Sequence, residues 1–273
     1  MEMKNAFGIQ QFCHKQATRR RSGDLHPGPG AGSLGKTSLG PSMLFVRFLP
    51  FCLAVLLIAG CSSAPPAPKA PPLVPQQVSN AVWEEDMRRF AAEDAVAPPP
   101  RQGVLFVGSS SIRLWETLAA DFPGVPVINR GFGGSEIRDS TWYADRIIVP
   151  YAPRQVLIYA GDNDLFSGRA PARLRDDFRA FVQRVRKDLP RVRIAYISNK
   201  PSPSRAHLLA AQREANALIQ AEALRLKVDF IDIFTPMLDA KGQPDQTLFI
   251  DDRLHMNAAG YDIWQRVVAP YVK

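Results

Sequence analysis

The chain has 273 residues, 46% of them hydrophobic and 22% charged, an ordinary globular composition rather than that of a disordered chain or a coiled coil. At roughly 100–200 residues per domain it holds one domain, at most two. The net charge of +8 lies mostly in residues 1–60, where seven Lys+Arg face two Asp+Glu; from Cys61 onward 27 basic and 24 acidic residues remain, mixed in sign and without the clustered basic face that a nucleic acid requires.

Residues 1–42 are rich in Gly, Ser and basic residues and follow no period of 2 or 3.6. Met43–Cys61 then reads MLFVRFLPFCLAVLLIAGC: one basic residue, Arg47, an apolar run over Phe48–Ala59, then small residues and a cysteine. That is the order of a secretory signal, too short and wrongly flanked for a transmembrane anchor. No apolar run reaches the roughly 18 uninterrupted residues of a spanning helix, so a multi-pass membrane protein is not expected. Ile58-Ala59-Gly60-Cys61 resembles a bacterial lipobox. In such signals the cysteine thiol receives diacylglycerol and becomes the mature N-terminus. Either translation starts at Met43 or the signal carries a long leading segment. Residues 1–60 are therefore read as leader and lipoprotein signal. Cys13, Cys52 and Cys61 are the three cysteines, and no disulfide framework is readable from them.

Residues 61–78 form a proline-rich linker, SSAPPAPKAPPLVPQQ after the cysteine, which favours extended polyproline II and spaces an anchor from a folded domain. Ser62, where an aspartate would retain the protein at the inner membrane, points by resemblance to the outer membrane, facing the periplasm.

The domain then spans 79–273. Ser79-Asn80 can cap a helix through Glu93 with Val82, Met87, Phe90 and Ala91 facing inward, and Pro98-Pro99-Pro100 ends it. Val104–Val107 is a continuous apolar run, the mark of a strand buried on both faces. A helical stretch over 112–120, a short strand over 125–128 and a buried strand over 155–160 come next. Residues 172–187 form an amphipathic helix with Leu174, Phe178, Phe181, Val182 and Val185 on one side. A strand over 192–197, a long helix over 204–226, a strand over 228–233 and a closing helix over 258–272 complete the chain. Strands alternating with helices give a parallel sheet of about five strands covered on both faces, a three-layer α/β/α sandwich.

Sites in such sheets lie at the carboxyl ends of the strands. After the first strand stands Gly108-Ser109-Ser110-Ser111; after the second, Asn129-Arg130-Gly131-Phe132-Gly133-Gly134; after the third, Gly161-Asp162-Asn163-Asp164; before the last helix, Asp251-Asp252-Arg253-Leu254-His255. A hydroxyl, glycine amides, a carboxamide and an Asp-His pair converging on one edge are the parts of serine acyl transfer. Of the four histidines, His14 and His26 precede the lipobox and His207 reads as a surface residue or a contact at a substrate rim. That leaves His255, with a carboxylate three residues before it, as the candidate base. Gly131-x-Gly133-Gly134 mimics a dinucleotide fingerprint, but Glu136 stands where its third glycine belongs. No third ligand accompanies Asp162 and Asp164, so no metal is expected there. Gly134 can equally serve a positive-φ turn, and Asn163 a turn.

These blocks resemble those of the SGNH hydrolases, the GDSL-type esterase family. Gly108-Ser109-Ser110 matches the family's first block, Gly134 after Asn129 its second, Gly161-Asp162-Asn163-Asp164 its third, and Asp252 with His255 its last. They fall in the family's order over about 103–273. Two positions depart: Ser109 replaces an aspartate, and Met256 a proline. The resemblance implies a flavodoxin-like fold, Ser110 as nucleophile, His255 as base and Asp252 as its orienting partner. It also implies an oxyanion hole from the Ser110 and Gly134 amides and the Asn163 side chain. Ser109 and Ser111 are expected to satisfy backbone amides at the helix start, and Asp164 to cap a helix or turn. Trp115, Trp142 and Trp264 are expected to pack, and Arg113 and Arg138 to meet a substrate or form ion pairs. No cofactor is implied. The expected partners are a small-molecule or glycan ester and the membrane, through lipid on Cys61; oligomeric state stays open. A binding lipoprotein without catalysis, or an acyltransferase to saccharides, would carry the same blocks.

Overall fold

The computed structural model describes residues 82–272. The leader, Cys61, the linker and the expected Ser79-Asn80 cap lie outside them. The first helix, α1, runs Glu84–Val96 and buries Met87 and Phe90 together with Trp83 just before it. The i, i+4, i+7 spacing of 83, 87 and 90 makes the stripe; Val82 and Ala91 fall off it and are exposed, contrary to expectation.

Five strands come after it: β1 (Val104–Gly108), β2 (Val127–Gly131), β3 (Gln155–Tyr159), β4 (Arg193–Ile197) and β5 (Asp229–Ile231). All pair in parallel, in the order β2-β1-β3-β4-β5, the doubly wound order of flavodoxin-like folds. Every residue of β1 and β3 is buried, because parallel strands are covered by helices on both sides. Leu105, Val107, Val156, Ile158 and Tyr196 face one core with Phe178, Phe181 and Ile219. Phe106, Leu157, Tyr159 and Ile197 face the other with Trp115 and Trp264. Burying each such side chain is worth about 1.5–3 kcal/mol.

The helices are α2 (Ser110–Arg113), α3 (Leu118–Asp121), α4 (Ile137–Trp142), α5 (Ala144–Ile147), α6 (Asp162–Phe166), α7 (Pro171–Asp188), α8 (Leu209–Leu226) and α9 (Ala258–Val268). The helix expected over 112–120 is in fact α2 and α3, broken where Trp115 turns into the core and donates to Asp121 Oδ2 at 2.5 Å. β2 starts two residues later than expected and takes in Asn129 and Arg130. As an edge strand it has one neighbour, so Arg130 can lie along Tyr151 and Phe90 and pair with Asp94. The long helix begins only at Leu209; Pro203–Leu208 is a 3-10 segment. The closing helix likewise ends at Val268, with a 3-10 turn over Ala269–Tyr271. Among the described residues no helix is long and apolar enough to cross a membrane.

Candidate active site

The parallel sheet brings the ends of β1, β2 and β3 to one edge, and β1 and β3 flank the point where strand order reverses, the expected place for a site. Gly108 ends β1 at φ +134°, and a Cβ there would stand 1.9 Å from the Tyr159 carbonyl oxygen. Only glycine fits so close to the neighbouring strand. The chain then turns into α2. Ser109 and Ser111 are buried at 1% and 2% exposure, whereas Ser110 is half-buried and is the accessible hydroxyl of the three. Ser109 caps nothing with its side chain: its Oγ is buried without a hydrogen-bond partner, against the expectation of a capping role.

His255 lies on the segment that ends at the Phe249–Met256 bridge. Its Nε2 is 2.9 Å from Ser110 Oγ and its Nδ1 2.5 Å from Asp252 Oδ2. The amides of Leu254 and His255 donate to Asp252 Oδ1 at 2.8 and 2.9 Å, so the carboxylate is fixed in place. Burial alone would raise Asp252, but those amides and the imidazole outweigh it and hold it below its ordinary range. Burial lowers His255, helped by the charge of Lys200 and opposed by Asp252, and it stays below 6.5. A neutral ring that donates Nδ1–H to Asp252 leaves Nε2 free to accept the Ser110 proton.

Gly134 has φ +77°, which fits its glycine. Neither its amide nor that of Ser110 donates a hydrogen bond among the described residues. Asn163 donates Nδ2–H to the Ser135 carbonyl at 3.0 Å and accepts at Oδ1 from Arg205 Nη2 at 2.9 Å. One of its two amide hydrogens is thereby unassigned. Asn129 stands apart and ties the end of β2 to α2, donating to the Ile112 carbonyl at 2.7 Å. Asp164 accepts from the Ile137 amide at 3.2 Å, so it caps α4 rather than its own turn.

Among the remaining candidates, Arg138 pairs with Glu136 at 2.7 Å. Arg113 faces an open groove with Arg89, Glu93 and Glu116, whose lining includes neither Ser110 nor His255. His207 is exposed on the 3-10 segment. Trp115 and Trp264 pack in the core, but Trp142 is 45% exposed and does not.

A buried charged cluster lies beneath Asn163 that the motifs do not reveal. Lys200 and Arg205 are 1% and 5% exposed. Lys200 Nζ lies 3.6 Å and Arg205 Nη1 2.9 Å from Asp162 Oδ2. Burial would raise Asp162, but the two cations overcome it and keep the carboxylate ionised, below its ordinary range. The one sequence signal for this cluster is the carboxyl end of β4, where Ser198-Asn199-Lys200 puts polar residues directly after a buried strand.

The family model described as GDSL-like Lipase/Acylhydrolase family matches residues 102–263. No curated protein matches. Among solved structures, a GDSL-like lipase from Bacteroides thetaiotaomicron superposes with a TM-score of 0.59 at 21% identity, covering 68% of this chain and 96% of that one. A member of the lipolytic G-D-S-L family from Veillonella parvula gives 0.53 at 16%, covering 62% and 96%. An acetylxylan esterase from Geobacillus stearothermophilus gives 0.52 at 14%, covering 63% and 94%. At these identities the likeness shows a shared fold, while the match over 102–263 shows more: the chain belongs to the GDSL-like lipase/acylhydrolase family and is a serine hydrolase acting on esters.

Proposed function

We propose that this protein is a lipid-anchored envelope esterase that hydrolyses short acyl esters, acetyl esters among them, through Ser110, His255 and Asp252. The observation that carries the reading is His255, with Nε2 at 2.9 Å from Ser110 Oγ and Nδ1 at 2.5 Å from Asp252. His255 takes the Ser110 proton as Oγ attacks the ester carbonyl, and Asp252 stabilises the imidazolium. The amides of Ser110 and Gly134 and the Asn163 carboxamide receive the oxyanion. His255 then protonates the leaving alcohol, and a water molecule, deprotonated by the same ring, releases the acid from the acyl-enzyme. Catalytic mutants of the Geobacillus acetylxylan esterase have a serine or a histidine replaced by alanine, and a shared fold makes acetylated glycans the first substrates to try.

The anchor rests on Ile58-Ala59-Gly60-Cys61 after the apolar run, with the outer membrane facing the periplasm as the destination. A fluorophosphonate probe tests the enzyme: labelling should require Ser110, and labelling of Ser110→Ala would reject the nucleophile. A panel of aryl esters and acetylated oligosaccharides then ranks substrates. For the anchor, Cys61→Ala should leave the membrane fraction; equal retention of both proteins without lipid on the wild type would reject lipidation.

A further inference from the structure

A carboxamide can stabilise an oxyanion only with its nitrogen, and its two ends are nearly the same shape. Something must decide which end faces the reacting carbonyl. In Asn163 the decision is made from both sides. Nδ2 donates to the Ser135 carbonyl at 3.0 Å, and Oδ1 accepts from Arg205 Nη2 at 2.9 Å. Turning the group over would set Oδ1 against a carbonyl and the amide hydrogens against a guanidinium, two donor–donor or acceptor–acceptor clashes at once.

Arg205 is 42 residues from Asn163 in sequence, yet its guanidinium is spent on the turn that holds it. Nη2 binds Asn163, Nη1 lies at ion-pair distance from Asp162, 2.9 Å, and the guanidinium carbon lies 4.6 Å from the centre of the Phe166 ring. All three partners belong to α6. Such a fork is a geometry lysine cannot copy. The segment bearing Arg205 is also tied to the base: the Ser204 amide donates to the Arg253 carbonyl at 3.0 Å, two residues before His255. Arg205 is 5% exposed, so it is not placed to touch a substrate, and a charged donor on Oδ1 also polarises the amide and strengthens Nδ2–H as a donor.

We propose that Arg205 is a positioning residue for ester hydrolysis: bridging Asp162 and Asn163, it fixes the Asn163 carboxamide with Nδ2–H toward the oxyanion. This rests on the reading of Asn163 as an oxyanion donor.

The test is a double-mutant cycle on the purified protein with an aryl acetate. The variants are Arg205→Lys, Arg205→Met, Asn163→Ala and the combinations of each Arg205 variant with Asn163→Ala. Removing an oxyanion donor costs roughly 10²–10³ in rate, so Asn163→Ala should lower kcat by that factor. Arg205→Met should lower it by about tenfold to a hundredfold at nearly constant KM, and should do nothing further once Asn163 is gone. Arg205→Lys keeps a cation for Asp162 and so protects the fold, but cannot bridge; it should also lower kcat, and it carries the test if Arg205→Met does not fold. If Asn163→Ala lowers kcat while the Arg205 variants leave it unchanged, or lower it equally in both backgrounds, the inference is overturned and the oxyanion reading stands. If Asn163→Ala itself leaves kcat unchanged, both fall.

Discussion

Ser110 and His255 stand 145 residues apart in the chain, and their side chains meet at 2.9 Å. The contact spans two independent parts of the fold. Ser110 is set by the turn leaving β1, where Gly108 touches β3. His255 is set by a segment whose own hydrogen bonds, Ile250 N–H to the His255 carbonyl at 2.9 Å and two amides onto Asp252, hold it before α9. A hydroxyl facing an imidazole that is itself oriented by a carboxylate is the arrangement that activates a serine nucleophile, the role proposed for Ser110.

Two neighbouring serines should therefore part company. Ser110→Ala should lower turnover of an aryl ester by several orders of magnitude, since a triad acts as a unit. Ser109→Ala should keep activity. It should also leave stability unchanged or slightly higher, because the Ser109 Oγ is buried without a partner and losing an unsatisfied hydroxyl costs little. Kinetics and thermal melting of both variants decide it; an active Ser110→Ala protein, or an inactive but folded Ser109→Ala protein, would reverse the assignment.

The base should show its burial in the pH profile. Burial, with the charge of Lys200, lowers His255, and Asp252 only partly restores it. Catalysis needs the neutral ring, so kcat/KM for an uncharged ester should climb with an inflection below 6.5 and then stay level to pH 8. The same shift has a stability sign. A histidine that binds its proton less readily folded than unfolded costs nothing above 6.5, and stability falls as pH drops through the folded value. An activity inflection above 6.5 would contradict this environment for the ring.

Most of the candidate site was legible because few residues could serve. With four histidines in the chain and two of them in the leader, His255 was nearly forced, and a parallel sheet left Ser110, Gly134 and Asn163 at one edge. Lys200 and Arg205 were not legible, for a physical reason. A cation in a loop reads as solvated, and only the three-dimensional proximity of Asp162 makes its burial tolerable. The short helices α4, α5 and α6 span four to six residues, too few to display a 3.6 period. The bounds of β2 fall later than 125–128 because an edge strand accepts the polar Asn129 and Arg130 that an interior strand would not.

A second titrating group lies in the first turn of α4. Asp139, 1% exposed, accepts from the Glu136 amide at 2.8 Å. Burial, together with the Glu136 charge and against that amide, pushes its carboxyl up to about 7. Folded, it keeps a proton that the unfolded chain releases near 3.8. Stability is thus lost as pH rises from about 4 to 7, by up to ~4 kcal/mol at about 1.4 kcal/mol per unit. Asp139→Asn retains an acceptor oxygen for the Glu136 amide and removes the titration. Its melting temperature should exceed the wild type's at pH 8 and approach it at pH 4. A variant no more stable than wild type at pH 8 would mean that the Asp139 carboxyl titrates in its ordinary range in the fold.

The turn between β1 and Ser110 should tolerate no side chain at Gly108. An alanine there would place Cβ 1.9 Å from the Tyr159 carbonyl oxygen and 3.1 Å from its amide nitrogen, both backbone atoms, at φ +134°. Neither can move freely: that oxygen accepts the Ser109 amide at 2.9 Å, and Tyr159 ends β3 two residues before the turn that carries Asn163. Backbone strain of this kind costs about 1–3 kcal/mol by itself, and the steric clash adds to it by prising β1 from β3. Gly108→Ala should thus lower stability by about 2–4 kcal/mol. It should also depress kcat in the fraction that folds, because Ser110 and Asn163 are then carried on strands set further apart. Urea denaturation gives the first quantity and active-site-titrated kinetics the second. An unchanged denaturation midpoint would show that the turn adopts another path, and a full rate constant in a destabilised protein would show that the spacing of the two strand ends does not govern catalysis.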